Sequence, residues 1–480
     1  MTDLVCLNAP FMPFFSRPSR SPCVTRGGTL YFPVSLLTMT SYAIQKGFDA
    51  RIIDCIAHPN PQWKEEIKNL DPKVIAIDTS TPSIMNDINI ADELQRELPK
   101  SKVVLVGRHV TYAPKESLNF CKDVNLVARR EYFTQIIELL EGKENHSIKG
   151  LSYNESGKIH HNPDCSIVQD VNEFGFLSKV IKNQMNVKDY YYSSIRNPYI
   201  MIQSAWGCPY NCSFCNEVIK NKYRHRSVES IIEELKWIKT NLPNVKEVIW
   251  DDPTFVVDES FTQELCSSMI ENRLNMKWST MTRANISLDT LKLMRKAGAR
   301  TMHIGLESAT QSSLNAVNKN MEFEDEVRYL ENCKKVGILN HACFILGLPG
   351  DTKESIRATI ERAKSLPAID SIQCFPLIPT PFEDIFDKES KGTIWEYLTK
   401  NNYLITRDYS KWLKPNGSYN CIVNYPDLSN VEIEKFVEQF YKEFYYRLSF
   451  IFRKIIQSMG SWEELKRNSR SFSTFRSRYR

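Results

Sequence analysis

The chain has no run of 18 or more apolar residues, so no membrane-spanning helix is expected. Its start, MTDLVCLNAPFMPFF, lacks a basic segment followed by a clean apolar one, so it does not read as a secretory leader. No self-similarity at solenoid periods is present. Charge of one sign is also scarce in excess. Sixty-two basic residues offset 57 acidic ones, for a formal net charge of +5 in 480 residues. That balance gives no reason to expect nucleic acid as a partner. Thirteen cysteines lack small-domain spacing, which suggests reduced thiols in a cytoplasmic protein rather than a disulfide scaffold. At this length, with 42% apolar residues, about three domains with sizeable cores are expected.

What is present centres on Ile202–Glu217, IQSAWGCPYNCSFCNE. Cys208, Cys212 and Cys215 stand at C-x3-C-x2-C spacing, just after an apolar run, Tyr199–Gln203, that reads as a strand. Gly207 and Pro209 break regular structure there, so the cysteines are placed on a loop at a strand's end. Three thiolates suit three irons of a [4Fe–4S] cluster and leave the fourth iron open to a ligand. A zinc site, or three unrelated buried thiols, is the other reading of the cysteines alone. Structural zinc wants four ligands, commonly in two close pairs, and no second pair exists here.

Around this loop the chain alternates strands and helices. Apolar runs at residues 4–7, 51–53, 74–77 and 103–106 alternate with helical patterns at 33–46 and 83–98, which predicts a parallel, doubly wound sheet. Ligands of such sheets bind at the carboxyl ends of the strands. From residue 199 to 375 a strand–loop–helix pattern repeats about six times, with strands expected at 199–203, 245–250, 276–280, 301–305, 341–346 and 370–375. That predicts a partial (β/α)6 barrel with its site at the C-terminal strand ends. Turn-rich sequence between the two regions predicts a small hairpin, 151–153 against 158–161. Ser429–Glu432 is a capping-box pattern. It opens a helix read as 430–458, whose role is packing on the barrel or, as the alternative, a lid or membrane-facing surface. The tail, Lys466–Arg480, has six basic residues and no acids and reads as solvated and disordered.

These segments resemble the radical S-adenosylmethionine (SAM) enzymes, whose signature is this three-cysteine spacing with an aromatic, here Phe214, before the last cysteine. The later strand ends resemble the family's segments in order: Asp251-Asp252-Pro253, Arg283-Ala284-Asn285, Ile304-Gly305-Leu306-Glu307-Ser308 and Gly347-Leu348-Pro349-Gly350. The first 150 residues resemble the cobalamin-binding domain of class B members. The resemblance implies an α/β architecture: a Rossmann-like (flavodoxin-like) cobalamin-binding domain at 1–140, a connector at 141–195, a TIM-type partial barrel at 196–385 and a helical C-terminal region at 386–480.

It implies a [4Fe–4S] cluster on Cys208, Cys212 and Cys215. It implies SAM held by Phe214, Asp251, Asp252, Arg283, Gly305 and Glu307. It implies cobalamin near Thr79, Ser80, Thr81, Ser83, Gly107, His109 and Arg129. Two departures touch the last group: Val106-Gly107-Arg108-His109 stands where G-G-P-H is frequent, and Ala128-Arg129-Arg130-Glu131 where G-E-G-E is. Two glycines are thereby lost, and an arginine pair there could meet a corrinoid phosphate. The family's lower axial histidine motif is absent, which implies cobalt without a histidine ligand. Pro379-Thr380-Pro381-Phe382-Glu383 lacks the glycine of a frequent P-x-P-G-T, and Phe382 is expected to shape the substrate pocket.

The implied activity is methyl transfer from SAM, through cobalamin, to an unactivated carbon of a small molecule, with an external reductant of flavodoxin or ferredoxin type. No catalytic residue is implied beyond the cluster, because the cofactors carry the chemistry. Ring closure, rearrangement or ring opening with the same cofactors is the alternative. A non-catalytic corrinoid or Fe–S binding protein is a third.

Overall fold

A computed structural model describes residues 2–383 and 391–459, together with 465, 467 and 469. The expected disordered tail lies, apart from 467 and 469, outside the described residues.

The N-terminal sheet is built from β1 (Leu4–Asn8), β2 (Ala50–Asp54), β3 (Val74–Thr79), β4 (Lys102–Gly107) and β5 (Leu126–Ala128). They run parallel in the order β2-β1-β3-β4-β5. The strands β1 and β3 are buried at every position, as helices on both faces require. The hairpin of β6 (Leu151–Glu155) and β7 (Lys158–His161) continues this sheet by antiparallel pairing with β5. It therefore belongs to the sheet rather than to a separate connector.

The second sheet takes β8 (Tyr199–Ile202), β11 (Glu247–Trp250), β12 (Trp278–Thr282), β13 (Ala299–Glu307), β14 (Leu339–Leu346) and β15 (Ser371–Pro376) in chain order, all parallel. The short β9 (Ala205–Trp206) and β10 (Arg224–His225) pair with each other around the cysteine loop. Helices cover the outside, with Ser227 and Ser287 capping two of them through their hydroxyls. The sheet order leaves β8 and β15 as edges, so the barrel is open.

The expected helix 430–458 is two helices, Asn430–Tyr445 and Leu448–Met459. The capping box at Ser429 and Glu432 forms. The break has a tertiary cause. Arg447 donates to the carbonyl of Lys364 and lies 4.2 Å from the Phe444 ring centroid, which turns the chain at the base of the barrel.

A loop links the two sheets, together with the buried Arg224–Glu131 pair and the Tyr112 hydroxyl, which donates to the Glu217 carbonyl. The strap Ser16–Cys23 follows β1 and crosses toward the barrel. Arg17, fully buried, pairs with Asp87 at 2.7 Å and donates to the carbonyl of Ala9 at 2.8 Å. Arg20 reaches the carbonyl of Asp252 at 2.8 Å, and Arg108 holds the carbonyl of Pro18 at 2.8 Å. Breaking a buried ion pair from one side strands the other charge at a cost of about 3–5 kcal/mol. Arg17→Met is therefore expected to destabilise the N-terminal unit by that amount in urea titration. An unchanged midpoint would show that Asp87 finds another partner.

Candidate functional site

The C-terminal strand ends of both sheets open onto two adjoining cavities. The larger, about 320 Å³, lies at the mouth and inside of the barrel. The smaller, about 110 Å³, lies over β3 and β4. Ser19, Arg20, Asn216, Glu217 and Asp251 line both.

Cys208, Cys212 and Cys215 line the larger cavity, with Phe214. Gly207, before them, has φ +78° and packs tightly on Lys222, so the loop turns where only glycine is unstrained. Burial pushes the Cys208 thiol up to about 11 and raises Cys215 as well. Metal binding at such thiols releases protons. Among the described residues no three His, Cys, Asp or Glu side chains converge on one ion. A cluster asks something different, a separate iron for each thiolate, and three thiols around one cavity suit that demand.

The other SAM-side residues divide. Arg283 lines the cavity. Its guanidinium lies 4.0 Å from the Tyr210 ring centroid, 3.4 Å from the Cys212 sulfur and donates to the carbonyl of Lys319. Gly305 and Glu307 line it too. Lys319, which sequence reasoning missed, donates from Nζ to the Gly305 carbonyl at 2.6 Å and to Glu307 Oε1 at 3.2 Å. Burial disfavours the Lys319 cation, but Glu307 and Glu326 outweigh it and its pKa is raised. Asp251 lines both cavities; burial pushes it up to about 6 against the pull of Arg20 and Arg108. Asp252 lines neither. Its carboxylate accepts from the backbone N–H groups of Ser204 and Ala205, at 2.8 and 3.1 Å, and so holds the approach to the cysteine loop.

On the other side, Thr79, Ser80, Thr81 and Gly107 line the smaller cavity. At Gly107, φ is +109° and a Cβ would stand 2.6 Å from Asp78 Oδ1 and from the Thr79 carbonyl, so backbone approaches the cavity bare. Ser83, His109 and Arg129 line neither cavity, each for a local reason. Ser83 donates to Asp87 at 2.6 Å. The His109 ring packs edge-on to Tyr409 at 5.0 Å, and burial lowers its pKa to about 3. Arg129 turns to the Asn162 carbonyl and to Asp164 at 3.2 Å. Its neighbour Arg130, and Arg108, line the cavity instead. Phe382 packs on Tyr112 at 4.3 Å rather than lining either cavity.

Sequence-level comparison identifies the assembly. The radical SAM superfamily pattern matches residues 203–363, and the B12 binding domain pattern matches residues 22–133. The chain thus carries a B12 binding domain followed by a radical SAM domain. Its cofactors are accordingly a [4Fe–4S] cluster, SAM and cobalamin. The chain is 28% identical over 92% of its length, and 94% of the relative's, to a protein of Pyrococcus horikoshii described as an uncharacterized methyltransferase. It is 25% identical over 72% of its length to the anaerobic magnesium-protoporphyrin IX monomethyl ester cyclase of Cereibacter sphaeroides, spanning 58% of that protein. Among solved structures, the cobalamin-dependent SAM radical enzyme OxsB superposes with a TM-score of 0.66 at 15% identity, over 99% of this chain and 72% of that one.

The donors fit these groups: three thiols for the cluster, Arg283 and the Lys319–Glu307 pair beside it, and bare backbone with hydroxyls and arginines over β3 and β4. Changing Cys208, Cys212 and Cys215 together to Ala is expected to abolish iron binding and the thiolate-to-iron absorption near ~400 nm after anaerobic reconstitution. Retention of that band at wild-type intensity would remove the cluster from this loop.

Proposed function

We propose that this radical SAM enzyme is a cobalamin-dependent methyltransferase that alkylates an unactivated carbon of a small molecule bound inside the barrel. The observation that carries the reading is the shared wall. Asn216, Glu217 and Asp251, all outside the strap, line both the cysteine cavity and the cavity over β3 and β4, so a substrate between them meets both cofactors. When bound, the cluster supplies the electron that cleaves SAM and the corrin supplies the methyl group.

The chain's own residues orient and exclude. In this reading Arg283 meets the SAM carboxylate and Asp251 its ammonium or ribose, roles supported by both lining the cysteine cavity. Deeper in the barrel, Tyr31, Tyr192, His303, Cys343, Gln373 and Phe375 line the substrate space. His303 bonds Tyr192 at 2.7 Å and Ser194 at 3.2 Å. Burial drives its pKa well below the usual histidine range, so the ring is neutral. A floor of neutral hydrogen-bonding groups among apolar walls suits an uncharged, partly apolar substrate.

The smaller cavity is below the size of an ordinary ligand pocket, because the strap fills the space between the sheets. Seating a corrinoid there displaces Pro18–Pro22. Hydroxocobalamin is expected to change the rate of tryptic cleavage after Arg20; an identical rate with and without it would show a fixed strap.

The cyclase relative supports a second reading, ring formation with the same cofactors. The deciding experiment incubates reconstituted enzyme, reductant and candidate substrates with methyl-labelled SAM and analyses products by mass spectrometry. Label in product is the expected result. 5′-Deoxyadenosine with product formation but no label would favour ring chemistry and overturn methyl transfer.

A further inference from the structure

The helix Leu448–Met459 is amphipathic the wrong way round for a helix that packs on a barrel. Its polar side faces the protein. Arg453 donates to the carbonyls of Pro367 and, at 2.7 Å, Ile369. Gln457 donates to Asp370 Oδ1 at 3.2 Å, and Lys454 holds Gln457 at 2.9 Å. Among the described side chains of this helix, Phe450 is the one large apolar group that is buried. The apolar side faces out: Leu448 is 72% exposed, Phe452 63%, Ile455 53% and Ile456 69%. At about 100° per residue these four and Ile451 share one arc of roughly 140°.

A stripe of this kind on a protein surface marks an interaction site. The contacts with Pro367, Ile369 and Asp370, which precede β15, put it at the base of the barrel, away from the cavities. The sequence just beyond the helix indicates the occupant. Residues 460–480 hold Lys466, Arg467, Arg470, Arg476, Arg478 and Arg480 against two acids, Glu463 and Glu464, with Trp462, Phe472, Phe475 and Tyr479 among them. Basic charge interleaved with aromatics, next to an outward apolar helical stripe, is the combination that binds the surface of an anionic bilayer.

We propose that the helix Leu448–Met459 lies in the interface of an anionic membrane, apolar stripe inward. The proposal is independent of the reaction the enzyme catalyses. The test is co-sedimentation of the full-length protein with vesicles of phosphatidylglycerol and phosphatidylcholine, against vesicles of phosphatidylcholine alone. The wild type is expected to pellet with the anionic vesicles and to be released by high salt in part. Phe452→Glu with Ile456→Glu is expected to lower the bound fraction about tenfold or more. Both side chains are exposed, and circular dichroism checks that the fold is kept. Arg476→Ser, Arg478→Ser and Arg480→Ser together, which leave the helix untouched, are expected to weaken binding to the anionic vesicles alone. Failure of the wild type to pellet, or equal pelleting of wild type and both variants, would overturn the proposal. So would self-association that the Glu variant abolishes in the absence of vesicle binding, since the stripe would then cover a second copy of the chain.

Discussion

The buried pair between Arg17 and Asp87 is the interaction on which the site depends. Two parallel sheets bring their carboxyl strand ends toward one another, and something has to fill and order the space between. The strap after β1 does so, and Arg17 fastens it to the helix that follows β3. With Arg17 held, Ser19 and Arg20 become wall for both cavities. Burial disfavours the Arg20 cation, yet Asp251, Glu217 and two of the cysteine thiols outweigh it, and its pKa is raised. With the strap in place, a cation between the two cavities links it to the acids and thiols at the barrel mouth.

Much of this was legible in the sequence wherever the signal is local. The cysteine spacing, the glycine-flanked strand ends and the alternation of apolar runs with helical periods all act within a few residues. They pointed to both sheets, and the hairpin appeared where its turn predicted. Neighbouring residues of one type could not be told apart. Asp251 and Asp252 look equivalent in sequence, yet one lines the cavities and the other caps backbone N–H groups. Arg129 and Arg130 divide the same way. Residues brought in over long separations left no local mark: Arg20 and Arg108 on the strap side, Lys319 beside Glu307, and Tyr31, Tyr192 and His303 on the barrel floor. The break near Tyr446 was also invisible, because neither Gly nor Pro marks it and the apolar period runs on; a contact between Arg447 and Lys364 sets it.

The two ends of the barrel serve different purposes. The carboxyl ends gather cofactors, because parallel strands offer their loops there. The base carries a helix whose polar face is spent on docking and whose apolar face is left for a bilayer.

Everything at the carboxyl ends turns on both cofactors being held by one chain, close together across the strap. The most direct measurement is electron paramagnetic resonance of protein loaded with cob(II)alamin, before and after one-electron reduction of the cluster. Each centre then carries unpaired spin. Reducing the cluster is predicted to split or broaden the cobalt signal. A cobalt spectrum unchanged by cluster reduction would contradict that proximity.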